Sequence, residues 1–157
     1  MVARVALKLH VEPFGAARTR TVARPTGQFK NGREIWRGGV RPDPKYEAWR
    51  KNAMPCFRRA APATPLLGPL EVLLVAVVPF REGRRRKTTM PPRIWHATRP
   101  DLDNLLKAVL DCAQEAGWFL NDWQVVRAVA EKCEAAQGEG PSISVVVRPI
   151  ETPYHLR

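Results

Sequence analysis

The sequence predicts an α+β fold, a small mixed or antiparallel sheet with two main helices packed on one side. Three observations carry this. Residues 70–80 form an apolar run with three valines after Leu74, the pattern of a central buried strand. Residues 101–116 repeat apolar side chains at helical spacing: Leu102, Leu105, Leu106, Val109, Leu110 and Ala113. Residues 125–133 and 142–147 alternate, as strands do.

Taken in chain order, Val5, Leu7 and Leu9 alternate with Ala6 and Lys8, which predicts a first strand. Residues 12–44 are dense in Gly, Pro and Arg and read as a long basic irregular segment, with one hairpin around Asn31-Gly32. Pro44 opens a helix over 45–59 with Tyr46, Trp49, Ala53 and Phe57 on one face, and Pro55 breaks its last turn. Residues 60–69 are a Pro-rich connector. The stretch 81–87 carries five basic residues in seven, and 81–99 as a whole reads as a second basic loop. Long loops of this kind are usually functional or mobile. Asp101 can cap the next helix and Gly117 stops it. Residues 118–120 are an apolar plug, and the last two strands are joined by the Gly138–Gly140 turn.

A chain of 157 residues predicts a single domain, 1–157. At this size roughly 70% of the unfolded surface can be buried, enough for a core without staples. Cys56, Cys112 and Cys133 are odd in number and have no CxxC spacing, which points to a reducing compartment and away from a disulfide framework or zinc knuckle. No apolar run is long enough to span a membrane, and residues 1–11 lack a signal-peptide core, so a cytoplasmic protein with no membrane partner is expected. The 26 Lys+Arg against 15 Asp+Glu give a formal charge of +11. Arginine suits bidentate phosphate contacts, so nucleic acid is the expected partner, although a cationic solubility surface has the same composition.

Against that background one stretch is acidic. Arg99-Pro-Asp-Leu-Asp-Asn-Leu-Leu-Lys-Ala-Val-Leu-Asp111, then Asn121-Asp122, gathers four aspartates and a lysine around one helix. Asp101 and Asp103 sit two apart at a helix entrance, where both carboxylates can converge. Asp122 precedes a strand and can swing to the same point. Two carboxylates about 4 Å apart repel by about 4 kcal/mol at an effective dielectric near 20. Such a site calls for a cation, and oxygen-only ligands favour Mg²⁺, with Mn²⁺ able to substitute. Lys107, one turn after Asp103, can reach a scissile phosphate. Asp111, a further turn on, is expected to support the site by pairing with a nearby base. Each acid also has a plain structural reading: Asp101 as an N-cap, Asp103 as a first-turn acid paired with Lys107, and Asp122 as a turn residue.

Competing motifs are absent. Asp101-Leu-Asp-Asn-Leu-Leu lacks the EF-hand donor at its fifth position and glycine at its sixth. There is no Walker A, GxGxxG or HExxH string. His10, His96 and His155 are too scattered for a metal trio, and His96 reads as a loop histidine, with a phosphate contact as its functional alternative.

The string from Arg99 to Asp111, followed by Asn121-Asp122 and Gln124-Val-Val126, resembles the RusA family of Holliday junction resolvases, small endonucleases typically borne by phages or prophages. The pattern is Pro-Asp-x-Asp-Asn, a Lys four residues after the second Asp, an Asp closing the helix and a late Asp before a strand. More loosely, Ala23-Arg24-Pro25 through Tyr46 and Trp49 is similar to the family's basic N-terminal hairpin and first helix, and Lys132 to a recurring lysine. The resemblance implies a RusA-like α+β homodimer that nicks opposed strands of branched DNA, the four-way junction, in recombination and repair. It implies that Asp101, Asp103 and Asp122 bind divalent metal and that Lys107 is the essential cation, in a bacterial or phage-infected cell. Asn104, Asp111 and Asn121 would stand behind the ligands. Arg24, Arg84, Arg85, Arg86, Lys87, Arg99 and Lys132 would contact DNA.

Two departures are visible. The family often has Asp-Asp where this chain has Asn121-Asp122, and 81–99 is longer and more basic than usual. Two other functions therefore compete: a catalytically inactive module that binds branched DNA, and a nuclease of the same chemistry aimed at flaps or forks.

Overall fold

The computed structural model describes residues 4–16, 20–41, 43–80 and 93–150. Its frame is a five-stranded sheet around the apolar run. That run forms β4 (Leu70–Val78), flanked on one side by β6 (Val125–Glu134) and on the other by β7 (Ser142–Pro149). β1 (Val5–Leu9) lies outside β7, and the two-residue β5 (Ile94–Trp95) lies outside β6. β4 runs parallel to β6 and antiparallel to β7, so the sheet is mixed.

Strand alternation divides β4 between two environments. Leu70, Val72, Leu74 and Ala76 enter the main core with Val5, Leu9, Ile143, Val145 and Val147. The other face holds Glu71, which is 1% exposed. Its register partners are Arg127 on β6 and Arg148 on β7. Both pair with it, at 3.0 and 2.6 Å. A buried carboxylate is tolerable only with such partners, and here they also fix the register of three strands.

Both helices cover the face opposite Glu71, as expected from the sequence. In α1 (Pro44–Arg59) the Asp43 carboxylate accepts from the Lys45 amide at 2.8 Å, and Pro44 takes the first helical position, where no amide donor is needed. Pro55 does not break the last turn, contrary to expectation. Met54 and Phe57, on either side of it, are buried while Pro55 is exposed, so packing holds the turn despite the missing donor. In α2 (Leu102–Glu115) the buried residues are Leu105, Ala108, Val109, Cys112 and Ala113. Its stop is followed by Gly117 at φ +80°.

Residues 12–44 are more ordered than their composition suggests. The hairpin expected around Asn31-Gly32 is present, and its strands, β2 (Arg20–Lys30) and β3 (Arg33–Arg41), take up much of the segment expected to be irregular. Asn31 and Gly32 have φ of 52° and 75°, which suits the two-residue turn that matches strand twist. A bulge between Pro25 and Phe29 absorbs the irregular residues. In a two-stranded ribbon every strand is an edge, so proline is admissible.

β6 and β7 follow each other in sequence but do not pair, because β4 lies between them. β4 is the most apolar strand and takes the centre, where both of its edges are covered. β5 and a 3-10 turn at Asp122–Gln124 are short elements within segments read as loops.

All three cysteines are free, and Cys112 and Cys133 are buried. Burial pushes the Cys112 thiol up to about 11. Among the described residues, no helix is long and apolar enough to cross a membrane.

The apolar plug after α2 locks this layer. Trp118 is fully buried, its indole donates to the Phe57 carbonyl at 2.9 Å, and its ring centroid is 5.3 Å from that of Phe57. Its own carbonyl accepts from the Leu66 amide at 2.8 Å. Trp118→Ala should therefore cost about 3–5 kcal/mol of unfolding free energy, a large-to-small core change, measured as the urea midpoint at constant m.

Candidate active site

Asp101 and Asp103 sit at the entrance of α2, and that entrance is held from several directions. Residues 96–100 lead into it and end in a cis Arg99–Pro100 bond. Lys132, on the helix face of β6, donates to the carbonyls of Thr98 and Pro100. His96 is buried, with Nδ1 3.1 Å from Glu134 Oε1. Its Nε2 lies 2.9 Å from the Arg99 carbonyl and 3.0 Å from Thr98 Oγ1. From the N-terminal side, the Ala16 amide donates to the Asn104 carbonyl at 2.8 Å. Gly15 permits this approach, because a Cβ there would stand 3.0 Å from the Asn104 Cβ.

Within this frame Asp101 takes the N-cap position but makes no capping bond. Among the described residues, its carboxylate accepts only from the Asn104 side chain, at 3.4 Å. Asp103 lies in the first turn of α2, and Asp122 begins the 3-10 turn that packs near it. Asp101, Asp103 and Asp122 are all exposed. The i,i+4 partner of Lys107 is Asp111, at 3.2 Å, and not Asp103. Asp111 thus pairs with Lys107, and Asp103 is left to solvent.

The turn carrying Asp122 depends on Gln124, whose role was not apparent in the sequence. Gln124 is buried. Its Oε1 accepts from the amides of Leu120 and Asn121 at 2.9 and 3.0 Å. Its Nε2 donates to the carbonyls of Leu66 and Gly68, both at 3.2 Å. Asn121 itself is the residue before the 3-10 turn and is exposed. A Gln one residue before a strand reads as a surface residue; only its proximity to Asn121-Asp122 hinted at a role.

Among the described residues no three His, Cys, Asp or Glu side chains lie close enough to share a metal ion. The donor chemistry nevertheless fits a hard divalent cation: three carboxylates, exposed, with Asp103 and Asp122 accepting no side-chain bond among the described residues.

A cleft of about 850 Å³ opens beside the entrance, lined by Trp95, Arg99, Asp101, Leu102 and Lys132 among others. Arg99 is exposed there, whereas Lys132 is half-buried and directed at backbone carbonyls. Arg24 is exposed on the separate β2–β3 sheet. Arg84, Arg85, Arg86 and Lys87 lie outside the described residues. His96, by contrast, has the structural role of holding the 96–100 turn.

The family model for the endodeoxyribonuclease RusA matches residues 11–148. The chain belongs to the RusA family. No curated protein matches it. The match spans α1, α2, β4 and the acidic entrance and leaves β1 outside it, and the class it gives is that of a DNA-binding endonuclease.

The turn and the cleft each generate an expectation. Gln124→Leu leaves two amides and two carbonyls without their partner. It should lower stability by about 1–3 kcal/mol and reduce nuclease activity in the folded variant, read by urea titration alongside strand cleavage. At the other end of β5, Arg93 pairs with Glu139 at 3.0 Å. The Arg93 hydrogen bond, then the Ala136 amide, hold the Glu139 carboxyl down to about 2. A depressed carboxyl stabilises the fold above its ordinary pKa near 4.5, and that contribution fades as pH falls towards about 2. Glu139→Gln should therefore lower the urea midpoint at neutral pH, and its difference from the unsubstituted chain should close below pH 4.5.

Proposed function

We propose that this RusA-family chain is a Mg²⁺-dependent, structure-specific endodeoxyribonuclease. It resolves four-way DNA junctions by paired nicks, acting as a homodimer in recombination and repair. The observation that carries this reading is the set of exposed acids at the α2 entrance and the adjoining 3-10 turn, with Lys107 on the same helix, in a chain of charge +11.

Asp101, Asp103 and Asp122 would hold the ion. Bound there, Mg²⁺ or Mn²⁺ supplies the positive charge that polarises a phosphodiester and makes water a competent nucleophile near neutral pH. Lys107 is exposed and tethered only to a half-buried Asp111. Its ammonium can leave that partner for a phosphate and offset the charge that develops on the oxygens. Asn104 restrains Asp101. Arg99 and the basic segments around 13–42 and 81–99 supply phosphate contacts, which set affinity and register but carry no base information. Preference for a branch then rests on DNA shape and the spacing of two sites in the dimer.

The ungathered acids and Asn121 favour a second reading, an inactive module that binds branched DNA. A third keeps the chemistry and moves the target to flaps or forks. One assay separates all three: junction, flap, fork and plain duplex, each with Mg²⁺, Mn²⁺ or a chelator. Junction nicking that requires the metal is expected; no nicking with either metal points to the inactive module. Asp103→Asn should abolish cleavage while junction binding survives or tightens, and loss of binding in that variant would remove Asp103 from the metal site. Lys107→Met should slow cleavage by about 10²–10³-fold with little change in affinity.

A further inference from the structure

The β2–β3 hairpin is a ribbon with two unlike faces. Register places Arg24 opposite Arg37 and Lys30 opposite Arg33. Side chains two apart on β3 share a face, so these four cations lie together. The other face holds Pro25 opposite Trp36 and Phe29 opposite Glu34. Phe29 is 69% exposed and Trp36 58% exposed. No residue between Ala23 and Gly38 is buried. A two-stranded ribbon on its own is marginal in water, and large aromatic side chains left in solvent on it ask for a partner.

We propose that this hairpin is a base-stacking arm: its Phe29 and Trp36 face takes DNA bases exposed where a branched substrate opens, and its Arg24, Lys30, Arg33 and Arg37 face takes the flanking phosphates. The proposal rests on the DNA-cleaving function given above and names the part of the substrate that the arm reads. Charge selects this occupant over a second copy of the chain. The ribbon carries six basic residues, Arg20, Arg24, Lys30, Arg33, Arg37 and Arg41, against the single acid Glu34. Two copies, each at +11, repel, whereas a polyanion is drawn in. Aromatic platforms beside a cationic track are how proteins hold unpaired bases without reading their sequence, since every base has a π-face. Within a duplex the bases are stacked on each other and closed to such side chains, so the arm distinguishes branched from plain DNA.

The test compares the full chain with two paired variants. Phe29→Leu/Trp36→Leu keeps apolar bulk on the ribbon and removes the π-faces. Phe29→Tyr/Trp36→Tyr retains them. The probes are a synthetic four-way junction with 2-aminopurine beside the branch point and a duplex of equal length. The leucine pair should weaken junction binding by about tenfold or more, leave duplex binding and the salt slope unchanged, and abolish the quenching of 2-aminopurine seen with the unsubstituted chain. The tyrosine pair should restore both. Arg24→Ala/Arg37→Ala should weaken both DNAs alike and reduce the salt slope by about two. Junction binding or quenching unaltered in the leucine pair overturns the stacking arm while leaving the nuclease reading intact. A change of oligomeric state in the leucine pair, seen by sedimentation without DNA, also overturns it and makes the face a contact between copies. If the unsubstituted chain shows no preference for the junction over the duplex, the junction function fails, and the arm's role falls with it.

Discussion

The orientation of α2 is the constraint on which the rest depends. Leu105, Ala108, Val109, Cys112 and Ala113 must all be out of water, and only one rotation of the helix about its axis achieves that. That rotation directs Asp103 and Lys107 outward. The entrance could still fray, since Asp101 makes no capping bond. The molecule compensates from outside the helix, with the Lys132 ammonium on two carbonyls ahead of α2 and the Ala16 amide on a third. Core packing thus sets the direction of the acids, and a few polar contacts set their starting point.

The charge distribution follows from the same arrangement. Buried ionic groups are matched locally: Glu71 by two arginines across neighbouring strands and Glu134 by His96. At the α2 entrance the acids have no such match. Asp103 and Asp122 face solvent, and Lys107, one turn after Asp103, is paired with Asp111. Native surfaces usually intersperse opposite charges. Asp101, Asp103 and Asp122 are exposed acids in a chain of charge +11, and exposed carboxylates of this kind are what a cationic ligand would stabilise.

Much of this could be read from the chain. Hydrophobic spacing located β1, α1, β4, α2, β6 and β7, because each buries a regular set of side chains and burial leaves a periodic mark. The acidic motif located the candidate site because its residues are local in sequence. What escaped reading was non-local or exposed. The turn at Asn31-Gly32 is legible from its residue types, but the length of β2 and β3 is not, because nothing between Ala23 and Gly38 is buried and no periodicity marks the strands. The insertion of β4 between β6 and β7 is a question of which strand most needs two neighbours, and spacing is silent on that. Gln124 and Lys132 work through backbone carbonyls of residues far away in sequence. Pro55 shows the converse, a strong local signal overruled by Met54 and Phe57 in the core.

The strand order bears on how the protein is made. Among the described residues β1 pairs only with β7, joining Val5 to Val147. During synthesis the first strand therefore waits without a partner until the last one emerges, and β4 waits with one edge open. Contacts so distant in sequence form late and slowly. A nascent chain that stops short of residue 142 already carries every acid of the candidate site, Lys107 and the basic arms, yet its sheet cannot close. Emergence of β7 is thus built into the topology as a condition for closing the sheet that underlies the candidate site.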